Sequence, residues 1–448
     1  MERKDQIDSR PMSRRSAAPA KWLTLGIGIK RWLLVFVAGI GATSLGLSYA
    51  LLELHLQLAQ EQTDTNYLHL AGLLVAVGVG LTALALVKFS RNLLAPYRAH
   101  RQGHVADIVY EHRRRGRGVR VVAIGGGTGL PAVLRGLKPY TDNITAVVTV
   151  ADDGGSSGRL RRELGVLPPG DLRNNIAALA DDENLMTRLF QYRFSAGDLN
   201  GHAFGNLFIT ALAGVTGSLE QALVETERVL NIQGRVLPAT LHDVTLTATV
   251  RLPNGRITFI SGESSIAEAG GQIQRVQLSP ASVEAYPQSV QAILDADIVV
   301  IGPGSLYTSI IPNLLVRGIV DALRASPAYK IYVCNVATQP GETDGFTVAE
   351  HVLALEDHIG RGLFQVVLAN NAYPALNAGP TTHYVQLAPP HHEIFQRYDV
   401  RTADLTDAEH PWRHDAHKLA TTILDLSSEE KTGSSSGRYA VADTHSLH

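Results

Sequence analysis

Five short segments are rich in small, hydroxyl, amide or carboxylate residues, four of them with glycine: GGGTG (125–129), ADDGGSSGR (151–159), GPGSLYTS (302–309), NVATQPGET (335–343) and NNAYP (370–374). Glycine removes the Cβ, so a bulky anion can reach the backbone amides. Serine, threonine and asparagine add neutral hydrogen bonds, while Asp152, Asp153 and Arg159 add charge. Such a set suits a phosphate-bearing ligand. The triple glycine taken alone is also consistent with an ordinary tight turn from strand to helix. No histidine or cysteine lies in these segments as an evident nucleophile or base.

Gly125, Gly126, Gly127, Thr128 and Gly129 form the first candidate cradle, and Gly127-x-Gly129-x-x-Ala132 satisfies the dinucleotide fingerprint. Pro131 suits the first turn of a following helix. Asp152 and Asp153 come about 20 residues later, where a carboxylate accepts ribose hydroxyls, and on these features alone NAD is the obvious ligand. The segment is not a Walker loop, because no Gly-Lys-Ser/Thr follows. Ser156 and Ser157 could wrap a phosphate, and Arg159 could supply a charge-assisted bond. PPGD (168–171) reads as a turn that delivers Asp171 as a helix cap, a structural role. Asn206, set among apolar residues in HAFGNLFITAL, needs a polar partner. Gly302 and Gly304 permit a second close approach, with Ser305, Tyr307 and Thr308 offering hydroxyls; Tyr307 could equally pack the core. Thr338, Gln339 and Glu342 complete the candidate set, Glu342 for a sugar hydroxyl, a metal or a donor in its own loop.

These segments need elements that bring them together. The runs VRVVAI (119–124), ITAVVTV (144–150), DIVVIG (297–302), KIYVCN (330–335) and LFQVVLAN (363–370) are nearly continuously apolar and alternate with helical stretches. That pattern predicts an α/β fold: a Rossmann-like, doubly wound, mostly parallel sheet covered on both faces. Each of these segments follows one such run, so all five leave the carboxyl edge, where open α/β sheets bind ligands. TLTATV (245–250) and ITFISG (257–262) predict a β-hairpin excursion, with Asn254-Gly255 supplying positive φ angles at the turn.

The N-terminal region differs. Residues 32–52 and 67–87 contain no Asp, Glu, Lys or Arg. Each run of about 20 residues is long enough, at ~1.5 Å per residue, to cross a ~30 Å hydrocarbon layer as a helix. Arg14, Arg15, Lys21, Lys30 and Arg31 precede the first run, and Lys88, Arg91, Arg98, Arg101 and Arg113–Arg115 follow the second. The connecting segment carries only acidic charges, so both termini and the main domain are expected in the cytoplasm. Small residues at Ala38, Ala42, Gly46 and Ala50, and at Gly72, Ala76 and Gly80, suggest a tight hairpin or a dimer seam. The expected layout is a basic tail (1–31), a transmembrane hairpin (32–88), a basic linker (89–118), a nucleotide-binding domain (119–425) and a polar disordered tail (426–448). At a formal net charge of -2 no overall field argues for nucleic acid, which is not an expected partner, and the single Cys334 excludes an internal disulfide. Membrane lipid is an expected partner of the helices, and a homo-oligomer is compatible with the sequence.

The series IGGGTGL, ADDGGSSGRLR, PPGDLRN, FGNLFI, LPAT, IGPGSLYTSIIPNLLV and NVATQPGETDGFTVAEHV resembles the gluconeogenesis factor family, from about Val119 to about residue 425. That family is related in fold to the 2-phospho-L-lactate transferases of deazaflavin cofactor biosynthesis. The resemblance implies a Rossmann-like fold and a UDP-sugar ligand, UDP-N-acetylglucosamine in particular. It also implies a regulatory role in cell-envelope precursor supply and cell shape on gluconeogenic carbon sources, with a regulated envelope-synthesis protein as partner. Carried over, the 125–129, 152–159, 302–308 and 338–342 segments would surround the nucleotide sugar. On this reading the chain is a binding protein that requires no cofactor and has no assigned catalytic residue. The alternative is a transferase using Mg held by Asp152 or Asp153; an NAD oxidoreductase is a third reading. The N-terminal hairpin departs from the family's soluble members.

Overall fold

The computed structural model describes residues 29–58, 66–93, 115–116, 118–180, 185–375 and 382–439. The basic tail as far as residue 28, the acidic connecting loop at 59–65 and most of the basic linker lie outside the described residues, as do residues 440–448. The chain divides into two units, residues 1–111 and 112–448.

The first unit contains helices Ile29–Leu58 and Asn66–Leu93. Within them, Trp32–Leu56 and Leu68–Phe89 are long and apolar enough to cross a membrane, with mean hydropathies of 1.8 and 2.5. Gly39, Gly46 and Glu53 are buried on one helix, and Ala71, Gly78 and Ala85 on the other. Both sets repeat every seven residues, the spacing that keeps a packed seam on one face of a helix. The backbones touch there: a Cβ on Gly78 would stand 2.5 Å from the Thr43 nitrogen, and one on Gly46 2.8 Å from the Ala71 carbonyl oxygen. Of the four-residue stripes expected from the sequence, only Gly46 joins this seam. Gly72 and Gly80 face open space.

The second unit is built on a seven-stranded sheet: β1 (Val121–Gly125), β2 (Ile144–Val148), β3 (Arg235–Pro238), then β7 (Ile298–Ile301), β8 (Tyr329–Val333), β9 (Val366–Asn370) and β10 (Asp399–Ala403). Its order is β10-β9-β8-β7-β1-β2-β3, and every pairing is parallel. All residues of β1, β2, β7 and β9 are buried, which explains their continuous apolar runs. Strand order reverses between β1 and β7, which pair directly through Ile124 and Ile301. That is the topological switch point, at whose carboxyl edge open α/β sheets bind ligands.

A separate three-stranded antiparallel sheet holds β4 (Thr245–Arg251), β5 (Ile257–Ser261) and β6 (Gln272–Ser279), in the order β5-β4-β6. The predicted β4–β5 hairpin is present, but its turn differs from expectation. Only Gly255 has positive φ (81°); Asn254 does not. Gly255 N–H donates to the Leu252 carbonyl and Leu252 N–H to the Arg256 carbonyl, a type I turn closed by a glycine bulge. The last helix runs Ala416–Tyr439, so helix extends into the segment expected to lack structure.

Candidate functional site

The loop after β1 is shaped by a buried acid. Gly127 has φ 62°, a conformation that favours glycine, and its N–H donates to the Asp171 carboxylate. A Cβ on Gly126 would fall 2.5 Å from Asp171 Oδ2. Asp171 is not the cap the sequence suggested: Pro169 holds that position in helix Gly170–Leu179, and the Asp171 side chain turns back to the glycine loop. Gly126 and Gly127 therefore make room for a carboxylate of the chain itself. Gly129 faces the opposite way. A Cβ there would stand 2.7 Å from the Pro303 carbonyl oxygen, so the loops after β1 and β7 touch through bare backbone.

Asp171 belongs to an acidic cluster with Asp152, Asp153 and Glu263. Burial, with Asp152 adding repulsion, pushes the Asp171 carboxyl up to about 7. Burial and then the charges of Asp152 and Asp171 raise Glu263 to about 9, so it carries its proton at neutral pH. Asp152 Oδ1 accepts from Gly154 N–H at 2.9 Å. Asp153 accepts from Ser264 N–H and Oγ at 2.9 and 2.8 Å, capping helix Glu263–Glu268. Among the described residues, no three of His, Cys, Asp or Glu form a group able to hold a metal ion.

Beside this cluster, Ser156 and Ser157 are buried at the start of helix Gly155–Leu164. Ser156 Oγ accepts from Ala203 N–H (3.3 Å) and Asn206 Nδ2 (3.1 Å) and shares a hydrogen bond with His202 Nδ1 (3.1 Å). The expected partner of Asn206 is thus supplied by the serine loop. Arg159 donates to the Asn200 carbonyl at 2.8 Å.

On the other side, Gly304 N–H donates to Asn335 Oδ1 (3.1 Å) and Gln339 Nε2 to Ser305 Oγ (2.7 Å), tying the β7 and β8 loops together. Glu342 is half-buried beneath them and accepts from Thr308 Oγ1 (2.9 Å) and Tyr307 N–H (3.3 Å); desolvation raises its pKa. Tyr307 is only 3% exposed and packs edge-on against Phe346 and His358, the core role rather than base stacking. Thr338 is buried and paired with the His383 backbone. Gly302, at φ 79°, begins the β7 loop.

A cleft of about 250 Å³ opens at the switch point. Of the candidates, it brings together Thr128, Gly129, Gly304, Ser305 and Gln339. The others stand beneath it or beside it: Gly126, Gly127, Asp152, Asp153, Ser156, Ser157, Arg159 and Asn206 in the acidic flank, Tyr307, Thr308, Thr338 and Glu342 in the support. Two further walls were not foreseen. Arg135 comes from helix Leu130–Leu137, and Asp407, His410, Trp412, Arg413 and His414 come from the loop after β10. Burial drops His414 to about 4, and its Nε2 donates to the Cys334 carbonyl at 3.2 Å. The legible signal was DLTDAEHPWRHD (404–415), a loop at the same sheet edge, with strand DVRTA before it too polar to stand out.

The sequence matches the family described as 2-phospho-L-lactate transferase CofD over residues 121–421. The gluconeogenesis factor of Bacillus subtilis (strain 168) is 45% identical over 325 residues, covering 70% of this chain and 100% of the relative. The gluconeogenesis factor of Halalkalibacterium halodurans is 49% identical over 251 residues, 56% of this chain and 77% of the relative. The crystal structure of a UPF0052 family member from Bacillus halodurans is 43% identical with a TM-score of 0.64, covering 68% of this chain and 99% of that one. The chain belongs to the gluconeogenesis factor family, within the wider CofD-type family.

Proposed function

We propose that the switch-point cleft seats a nucleotide sugar of the UDP-N-acetylglucosamine type and that the chain is a membrane-tethered binding regulator. It would act on cell-envelope precursor supply and cell shape under gluconeogenic growth. The observation that carries this reading is the make-up of the cleft. Bare backbone at Gly129 and Gly304 meets neutral donors at Thr128, Ser305 and Gln339, cations at Arg135 and Arg413, and one aromatic ring at Trp412. The glycines and arginines suit a diphosphate, and Trp412 suits a planar base. The two apolar helices support a tether, and the basic residues on either side support a cytoplasmic domain. Occupancy regulates only if the ligand prefers one conformation; about 1.4 kcal/mol of preference gives a tenfold shift. Mass spectrometry of nucleotides that co-purify with the full chain tests the reading. A UDP-sugar is expected, and an exclusively nicotinamide nucleotide would reject it in favour of the oxidoreductase alternative.

A transferase of the 2-phospho-L-lactate type is the second reading, favoured by the CofD-family match and by carboxylates beside the phosphate cradle. The carboxylates do not fit a metal in this arrangement. Asp153 is spent on capping a helix, and among the described residues no three of His, Cys, Asp or Glu form a group able to hold a metal ion. Turnover of a deazaflavin acceptor with magnesium, lost in Asp153→Ala, would favour it.

A further inference from the structure

The three-stranded sheet presents a face that no described residue of its own unit covers. Direct pairing places Phe259, Thr249 and Arg275 in one outward row and Ile257, Arg251 and Gln272 in the next. The opposite face, with Ala248, Val250, Ile273 and Val276, is buried in the core. On the outer face Phe259 is 84% exposed and Ile257 55%, and both charges are arginine. Strand β5 is also an edge. The bonds Gly262 N–H to Leu246 carbonyl and Leu252 N–H to Arg256 carbonyl set the phase of the ladder. In that phase Thr258 and Ile260 bond to β4, while the main-chain groups of Ile257, Phe259 and Ser261 point away from it.

We infer that β5 is a docking strand for an extended, acidic segment of a partner protein, which adds as a fourth strand and packs on Phe259. An open edge with alternating exposed apolar side chains is the template for strand addition. Arg251, Arg256 and Arg275 select acidic chemistry on the incoming segment. The same charges disfavour a second copy, which would set these arginines against themselves. Nucleic acid is disfavoured because the face offers a single aromatic ring, whereas base-binding sheets stack successive bases on several. At its end β5 passes through Gly262, where a Cβ would stand 2.3 Å from Asp153 Oδ2, so the docking strand abuts the acidic flank of the cleft.

The test is fluorescence anisotropy of the full chain in lipid nanodiscs, with labelled peptides EVEIEVE and KVKIKVK. The acidic peptide is expected to bind at least about tenfold tighter than the lysine peptide. Phe259→Ala should weaken it by at least about tenfold, and Arg251→Glu with Arg275→Glu should reverse the preference. Methylating alternate backbone nitrogens of the peptide should abolish binding without touching the protein. Lack of acidic-peptide binding, binding indifferent to these changes, or survival of binding by the methylated peptide overturns the proposal. So does a labelled single-stranded oligonucleotide that binds through Phe259 and displaces the peptide, or self-association of the chain that Phe259→Ala removes.

Discussion

Glu263 and Gly129 carry the most direct predictions at the scale of single residues. Glu263 is raised from 4.5 to about 9 by burial and neighbouring carboxylates, so between those values the folded chain holds a proton the unfolded chain has released. Stability from this group is complete below pH 4.5 and falls as pH rises toward 9. Glu263→Gln keeps a donor toward Asp152 without the titration. It is expected to raise the Tm at pH 8 and flatten the pH slope in thermal denaturation; an unchanged slope would reject the buried-acid assignment. The glycines separate in the same way. Gly129→Ala places a methyl against the Pro303 backbone and is expected to cost roughly 1–3 kcal/mol in denaturant unfolding. At Gly125 the added Cβ meets ordinary contacts of 3.6–3.8 Å, so Gly125→Ala is expected to stay within about 1 kcal/mol. Equal effects would contradict the loop contact. The triple glycine was visible in the sequence, but its purpose was not, because Asp171 lies some forty residues away and only folding brings it beneath the loop.

Elements were legible where burial was complete or nearly so. Strands β1, β2, β7, β8 and β9 stood out as apolar runs. Edge strands β3 and β10 did not, because an edge tolerates Pro238 and the charged pair Asp399 and Arg401. The membrane-length helices were equally plain from composition, whereas their seam was not. Glycine and alanine are abundant on several faces, and a four-residue stripe competes with the seven-residue seam through Gly39, Gly46 and Gly78. Gly78→Leu is expected to push the helices apart and Gly80→Leu to leave them in place. Disulfide crosslinking between cysteines placed on the two seams reads this out; identical crosslinking in both variants would contradict the packing. The serine loop makes a similar demand. Asn206→Leu strips the amide from Ser156, and the loss of buried hydrogen bonds is expected to cost roughly 1–3 kcal/mol in denaturant unfolding.

For the whole molecule, one sheet edge gathers loops from strands far apart in the chain, and the strand reversal between β1 and β7 opens a cleft there. Convergence on that edge could be read from the order of strands and glycine loops. The wall formed by His410, Trp412 and Arg413 could not, because it follows a polar edge strand and returns to the switch point only through tertiary packing. The same geometry leaves the acidic cluster outside the cleft, so a nucleotide seated there meets Arg135 and Arg413 before any carboxylate except Asp407. The decisive measurement is calorimetric titration of the full chain in detergent with UDP-N-acetylglucosamine, for the natural protein and for Arg413→Ala. Saturable binding near one ligand per chain, weakened at least about tenfold by the substitution, is the expected result. No saturable heat up to millimolar ligand, or binding indifferent to Arg413, would contradict a nucleotide-sugar seat at the switch point.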